Sequence, residues 1–314
     1  MKRNDLLQAL ALFAALAMLL PWGAANAGIW RFAAIGDTPY SHHERRELPG
    51  MLEEIADENV DLVVHAGDFK DSRGECSDEI FVDRRELFDA SRVPFFYVPG
   101  DNEWTDCRQL AAGHFDPLER LQKLRELFFA EPRSLGRRTL PAERQPGAYA
   151  EHLLWRLGPL VFISLNVPGP NNNFGLGSTA SREFLARNPA LIEWLRHGFA
   201  VARRERSPGL VIVMQANPGF RHHTAGFAHA GFADLLQVLV EEASAFPGQV
   251  LLIHGDTHWQ RIDHPLRQPT SGVPLTNFTR IETFGYPFMG WVKVIFDEHD
   301  PQPFRFEVHP YPRR

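Results

Sequence analysis

Acidic and amide side chains recur directly after short apolar runs in this chain. They are Asp37 in Gly36-Asp37-Thr38, Asp68 in His65-Ala66-Gly67-Asp68, Asp101 and Asn102 in Gly100-Asp101-Asn102-Glu103, Gln215 in Met214-Gln215-Ala216-Asn217-Pro218, and Asp256 with His258 in His254-Gly255-Asp256-Thr257-His258. Carboxylates at buried strand ends are costly unless paired or bound to a cation, so the recurrence points to metal chemistry. Oxygen donors dominate the set, which favours Mg²⁺, Mn²⁺ or Ca²⁺ over Zn²⁺.

The elements that must position these groups read as alternating strands and helices. Mostly apolar runs at 30–35, 62–65, 94–98, 160–165, 210–214 and 250–254 fit strands of a sheet buried on both faces. Phe115, Leu118, Leu121, Leu124, Leu127 and Phe128 make one helical stripe, and Asn188-Pro189 reads as the cap and first turn of a helix through Trp194 and Leu195. Such alternation predicts a layered α/β fold with its ligands beyond the carboxyl ends of the strands. After Asp263 the pattern changes to strands at 276–284, 291–296 and 304–308 joined by Gly/Pro turns, expected to extend or close a second sheet.

Composition narrows the function classes. A formal charge of -6 gives no footprint for nucleic acid or for an anionic membrane surface. Lys2 and Arg3 precede an apolar run at 6–20 and then Ala24-Ala25-Asn26-Ala27, a secretory signal pattern with cleavage after Ala27. An exported, periplasmic protein without a mature membrane span is expected, the apolar run being short for a spanning helix. The mature chain, 28–314, reads as one domain, with a motif core at about 31–263 and a β-rich completion at 264–314. Cys76 and Cys107 follow the second and third blocks, so export favours a disulfide pinning two loops, with separate thiols as the alternative.

Taken in order, Gly-Asp, Gly-Asp, Gly-x-x-acid, a polar residue before Pro, and Gly-x-x-His resemble the calcineurin-like metallophosphoesterase superfamily over about 31 to 263. The resemblance implies an α/β/β/α sandwich of two mixed sheets flanked by helices. It also implies two divalent ions (Mg, Mn, Ca, Fe or Zn) roughly 3.5–4 Å apart that activate water against a small-molecule phosphomonoester or diester. Asp68 would bridge both ions, with Asp37 and His258 on the first. Pro39 stands where the family has a histidine, and Asp71 is the candidate replacement. Asp101, Gln215 and Asp256 replace an asparagine and two histidines on the second ion, each still carrying an oxygen. Asn102 takes the place of a phosphate-contacting histidine, where it can orient phosphate but not supply a proton. His222 and His223, or His42 and His43, are candidates to compensate, and the loop from Asn166 to Asn173 could bind substrate through its amides. A fold member that has lost hydrolysis and binds a metal, ligand or partner is the alternative reading. His65 and His254 read as core histidines, while Trp104 and Phe69 suit either the pocket or the core.

Overall fold

A computed structural model describes residues 28–175, 179–220, 229–268 and 271–311. The expected signal segment, 1–27, lies outside the described residues, as do His222 and His223. In chain order the elements are β1 (Ile29–Ile35), α1 (His42–Asp57), β2 (Leu62–His65), α2 (Asp78–Asp89), β3 (Phe95–Tyr97), α3 (Pro117–Phe128), β4 (Glu143–Arg144), β5 (Leu153–Leu157), β6 (Leu160–Ser164) and α4 (Arg182–Arg204). They continue as β7 (Gly209–Val213), α5 (Ala233–Ala245), β8 (Gln249–His254), β9 (Arg261–Asp263), β10 (Phe278–Glu282), β11 (Gly290–Asp297) and β12 (Phe304–Pro310).

These strands form two mixed sheets, ordered β12-β11-β1-β2-β3 and β4-β5-β6-β7-β8-β10-β9. Strand alternation shows how they stack. Phe162, Val211, Val213, Leu251 and Ile253 face the first sheet, while their neighbours Val161, Ile163, Leu210, Ile212, Val250 and Leu252 face α4 and α5. Across the inner layer Phe96 stacks on Trp155 at 3.9 Å and Phe32 meets Phe162 edge-on at 5.0 Å. The expected sandwich of two sheets flanked by helices is therefore present. Trp104 and Phe69 are fully buried and belong to this core.

Three local expectations are revised. Helix α4 starts at Arg182, because Ser181 accepts from Phe184 N and caps it, so Pro189 lies inside the helix and Asn188 bonds Asp234 instead of capping. On α3, Asp116 caps and Pro117 opens the first turn, but Leu118 faces solvent and Arg120 is buried in the stripe. The C-terminal strands divide between the sheets: β10 runs parallel to β8, whereas β11 pairs antiparallel with β1 and carries β12 outside it.

Cys76 and Cys107 are bonded, with Cα atoms 5.7 Å apart, and tie the loop after β2 to the loop after β3. Across a separation of 31 residues, such a link restricts the unfolded chain by about 3–4 kcal/mol.

His152 is buried at the edge of β5, with Nδ1 against Gln145 Oε1 at 2.6 Å. Burial pulls its pKa down to about 4. Between pH 6.5 and about 4 the unfolded chain therefore takes up a proton that the folded chain refuses. Folded stability is lost as pH falls through that window, at roughly 1.4 kcal/mol per pH unit for this one group. Unfolding of the wild type and His152→Gln, followed in urea from pH 7 to 4.5, should converge toward low pH after allowing for a constant offset. Parallel profiles would contradict this.

Candidate metal centre

Parallel register brings the acidic loops out side by side. Phe32 to Ile35 of β1 align with Leu62 to His65 of β2, and Asp37 N then bonds Gly67 O at 2.9 Å, so Asp37 and Asp68 leave the sheet as neighbours. In the second sheet Val213 aligns with Ile253, and Gly255 N bonds Gln215 O at 2.9 Å. Asp37, Asp68, Asp256 and His258 all take left-handed backbone, with φ of 50°, 60°, 81° and 57°. Strained residues of this kind persist only where surrounding contacts hold them, and they concentrate at functional sites. Gly100 and Gly255 are required by close approach: a Cβ on either would strike the Asp68 or Asp37 carboxylate.

The carboxylates form a linked chain. Asp37 accepts from Asp256 N at 3.0 Å and from Thr283 Oγ1 at 3.3 Å. Asp68 Oδ1 accepts from Asn102 N at 3.1 Å, while Oδ2 accepts from Tyr40 Oη at 3.0 Å and Gln215 Nε2 at 3.1 Å. Asp101 Oδ1 accepts from the same Gln215 nitrogen at 2.8 Å, and Asp256 Oδ2 accepts from Asn217 N at 2.8 Å. Glu103, fully buried, joins the second and third loops by accepting from Phe69 N and Gly100 N. His258 Nδ1 lies 2.8 Å from Tyr286 O, an acceptor only, so this nitrogen carries hydrogen and Nε2 faces Tyr40 Oη at 3.2 Å and Asp37 Oδ1 at 3.5 Å.

Electrostatics makes the cluster unsatisfied as it stands. Burial first, then Asp101, Glu103 and Asp37, pushes Asp68 well above the usual carboxylate range. Burial with Asp256, Asp106 and Glu103 does the same to Asp101. Burial also lifts Asp256 to about 6 and Glu103 to about 7. Repelling acids in a desolvated site call for protons or cations.

Among the described residues, no three His, Cys, Asp or Glu side chains already stand in ligating geometry. Tyr40 Oη and Gln215 Nε2 occupy the inner lone pairs, and the acids are spaced around them. The donor chemistry itself fits divalent cations, with Asp37, Asp68, Asp101 and Asp256 supplying oxygen and His258 Nε2 aimed inward. Loaded with cations, such a site would supply a polarised phosphoryl group and an acidified water.

Other sequence candidates fall elsewhere. Asp71 does not join the cluster; its Oδ1 accepts from Arg73 N at 3.0 Å and closes a local turn. Gln215 reaches the centre but presents nitrogen, because its Oε1 accepts from Gly169 N at 2.6 Å, and a backbone N–H can only donate. Asn166 is buried with Nδ2 on Glu151 Oε1 at 2.9 Å, so its side chain is turned into that network, and the loop touches the centre through Gly169. His42 and His43 open α1, with His42 exposed, and His65 and His254 are buried. Tyr40, Thr283 and Tyr286 were not anticipated. For Tyr40 the available signal was a phenol three residues beyond Asp37; Thr283 and Tyr286 offered none, since their partners lie far away in sequence.

Two facing sheets gather their acidic loops at their carboxyl edges. Residues 31–260 match the model of the calcineurin-like phosphoesterase family, and the chain belongs to that family. No curated protein matches the chain. Among solved structures, a dimetal phosphatase from Danio rerio is similar at 13% identity and a TM-score of 0.50, covering 91% of this chain and 97% of that one. The purple acid phosphatase PPD1 from yellow lupin seeds is similar at 15% identity and a TM-score of 0.51, covering 89% of this chain and 53% of that one. GAP50, the anchor in the inner membrane complex of Plasmodium, is similar at 13% identity and a TM-score of 0.50, covering 91% and 90%. At these identities the likeness is one of fold. No helix among the described residues is long and apolar enough to cross a membrane.

Proposed function

We propose that this protein is an exported, periplasmic phosphoesterase that uses divalent cations to hydrolyse a small-molecule phosphomonoester or diester. The observation that carries the reading is the linked chain of Asp37, Asp68 and Asp101, buried and mutually repelling at the carboxyl ends of β1, β2 and β3. Asp37, Asp68, Asp101, Asp256 and His258 would hold the cations, which bind the phosphoryl group and acidify water. Asp68 would be the carboxylate shared between the cations; its Oδ1 accepts from the Asn102 backbone, and its Oδ2 from both Tyr40 and Gln215. Export is supported by the Lys2-Arg3 start, the apolar run and the Ala-x-Ala pattern.

Gln215 favours a second reading, in which one cation position is weakened and the fold serves mainly to bind a ligand. The nitrogen that it places between Asp68 and Asp101 is a donor where an oxygen ligand was expected.

Chelator-treated mature protein should regain hydrolysis of alkyl and aryl phosphomonoesters or of a diester when Mg²⁺, Mn²⁺, Ca²⁺, Fe²⁺ or Zn²⁺ is restored. Its unfolding midpoint should rise with the same cation, because a ligand that binds only the folded state stabilises it. Stabilisation without turnover would favour the binding reading. Absence of both effects with every cation would overturn the phosphoesterase reading.

A further inference from the structure

Asn102 has no donor left for a substrate. Its two amide hydrogens go to Tyr40 Oη and Lys70 O, each at 2.9 Å, and the residue is buried. Its remaining side-chain oxygen can only accept, so it cannot bond the acceptor oxygens of a phosphate. Tyr40 is complementary to this. Its oxygen accepts from Asn102, and its one hydrogen rests on Asp68 Oδ2 at 3.0 Å, with Asp37 Oδ1 at 3.4 Å and His258 Nε2 at 3.2 Å, so the O–H faces the cluster and reaches a substrate oxygen there by leaving Asp68. Two ring contacts and a backbone hydrogen bond hold the residue in place. It meets His258 edge-on at 5.0 Å, lies nearly parallel to Tyr286 at 6.2 Å, and its backbone N–H bonds Glu44 Oε2 at 2.6 Å.

We propose that Tyr40 is a catalytic residue whose hydroxyl hydrogen-bonds the departing oxygen of the phosphoester, and that Asn102 is the positioning residue that aims it. This rests on the phosphoesterase reading above and extends it to the leaving group. As the P–O bond to the leaving group breaks and the bond from water to phosphorus forms, negative charge grows on the departing oxygen. The phenol O–H stabilises that charge without giving up its hydrogen. The proton that completes the alcohol comes from the attacking water through solvent, and the other hydrogen of that water stays with the phosphate.

A preorganised donor to a developing oxyanion is worth about 10²–10³ in rate. Tyr40→Phe, which removes a single oxygen, should therefore lower kcat on an alkyl phosphomonoester about a hundredfold. On 4-nitrophenyl phosphate, whose departing oxygen needs little help, the loss should be less than about tenfold. Cation content by elemental analysis should match wild type. Asn102→Ala should show a smaller loss with the same leaving-group bias, and adding it to Tyr40→Phe should cost nothing further, as expected of two groups acting as one unit. Equal losses on both esters, or loss of bound cation, would mean that Tyr40 serves structure or ligation, and would overturn the proposal. So would an unchanged rate on the alkyl ester. A wild type inactive on both monoesters and on bis(4-nitrophenyl) phosphate would overturn the phosphoesterase reading and this proposal with it, whereas an active wild type with an indifferent Tyr40→Phe removes this proposal alone.

Discussion

Asp68→Ala is expected to eliminate cation-dependent hydrolysis, lowering kcat/KM at least about 10³-fold, equivalent to ~4 kcal/mol of transition-state stabilisation. The size follows from the number of groups that meet at this carboxylate. It is buried, takes the Asn102 backbone N–H on one oxygen, and takes Tyr40 and Gln215 on the other. Removing it breaks the link between the Asp37 side and the Asp101 side of the cluster. Asp68→Asn separates charge from shape. An amide can still accept from Asn102 N, but it brings a nitrogen toward donors and carries no charge for a cation. Without metal, Asp68 has a folded-state pKa above the ordinary carboxylate value, so its contribution to stability is present at low pH and lost as pH rises through the folded pKa. Burial and the neighbouring acids that raise it oppose folding of the ionised form. The metal-free Asn variant should therefore unfold at the same midpoint as wild type or a higher one, while its stabilisation by added cation disappears. Wild-type turnover in either variant would refute this assignment, and a collapsed midpoint in Asp68→Asn would refute the electrostatic account.

Arg187→Ala should cost about 3–5 kcal/mol of stability, the range for breaking a buried ion pair from one side. Arg187 lies fully buried in α4. Its guanidinium donates to Asn166 O and Asn172 Oδ1, each at 2.7 Å, to Asn172 O at 3.0 Å and to Glu183 Oε1 at 2.6 Å, and it sits 5.8 Å over Trp104. Alanine leaves those carbonyls without that donor and takes from the Glu183 carboxylate its cationic partner, leaving it with Asn173 Nδ2. Activity should fall as well, because the loop that Arg187 anchors carries Gly169, whose N–H sets the Gln215 amide. Lysine, a single point charge without the planar fork, should restore only part of the stability. Arg196→Ala is the control. Its side chain is about half exposed, Glu241 is exposed, and Glu242, though buried, keeps Arg203, so the loss there should stay within about 1 kcal/mol. Urea unfolding of the three variants checks the ranking, and a loss below about 1 kcal/mol for Arg187→Ala would contradict it.

Much of the frame was legible in the residues because it depends on local pattern. Runs such as Leu62 to Val64 and Leu210 to Val213 are apolar throughout since both faces of each strand are covered, and the Gly-Asp turns after β1 and β2 mark the loops carrying Asp37 and Asp68. The pattern misled where tertiary contacts competed with it. Asn188-Pro189 is a sound helix start in isolation, but the chain is already helical there, capped by Ser181 and packed on the second sheet.

The order of the acidic blocks, the family they belong to and the strands that carry them were thus determined by the sequence alone, through period, turn chemistry and spacing. Which sheet β11 joins, that Gln215 offers nitrogen, and that Tyr40 reaches Asp68, Asn102 and His258 were decided only in three dimensions. Those partners stand 28, 62 and 218 residues from Tyr40 along the chain. The physical reason is that a hydrogen-bonding group takes its role as donor, acceptor or ligand from the group it meets, and folding rather than spacing determines that meeting.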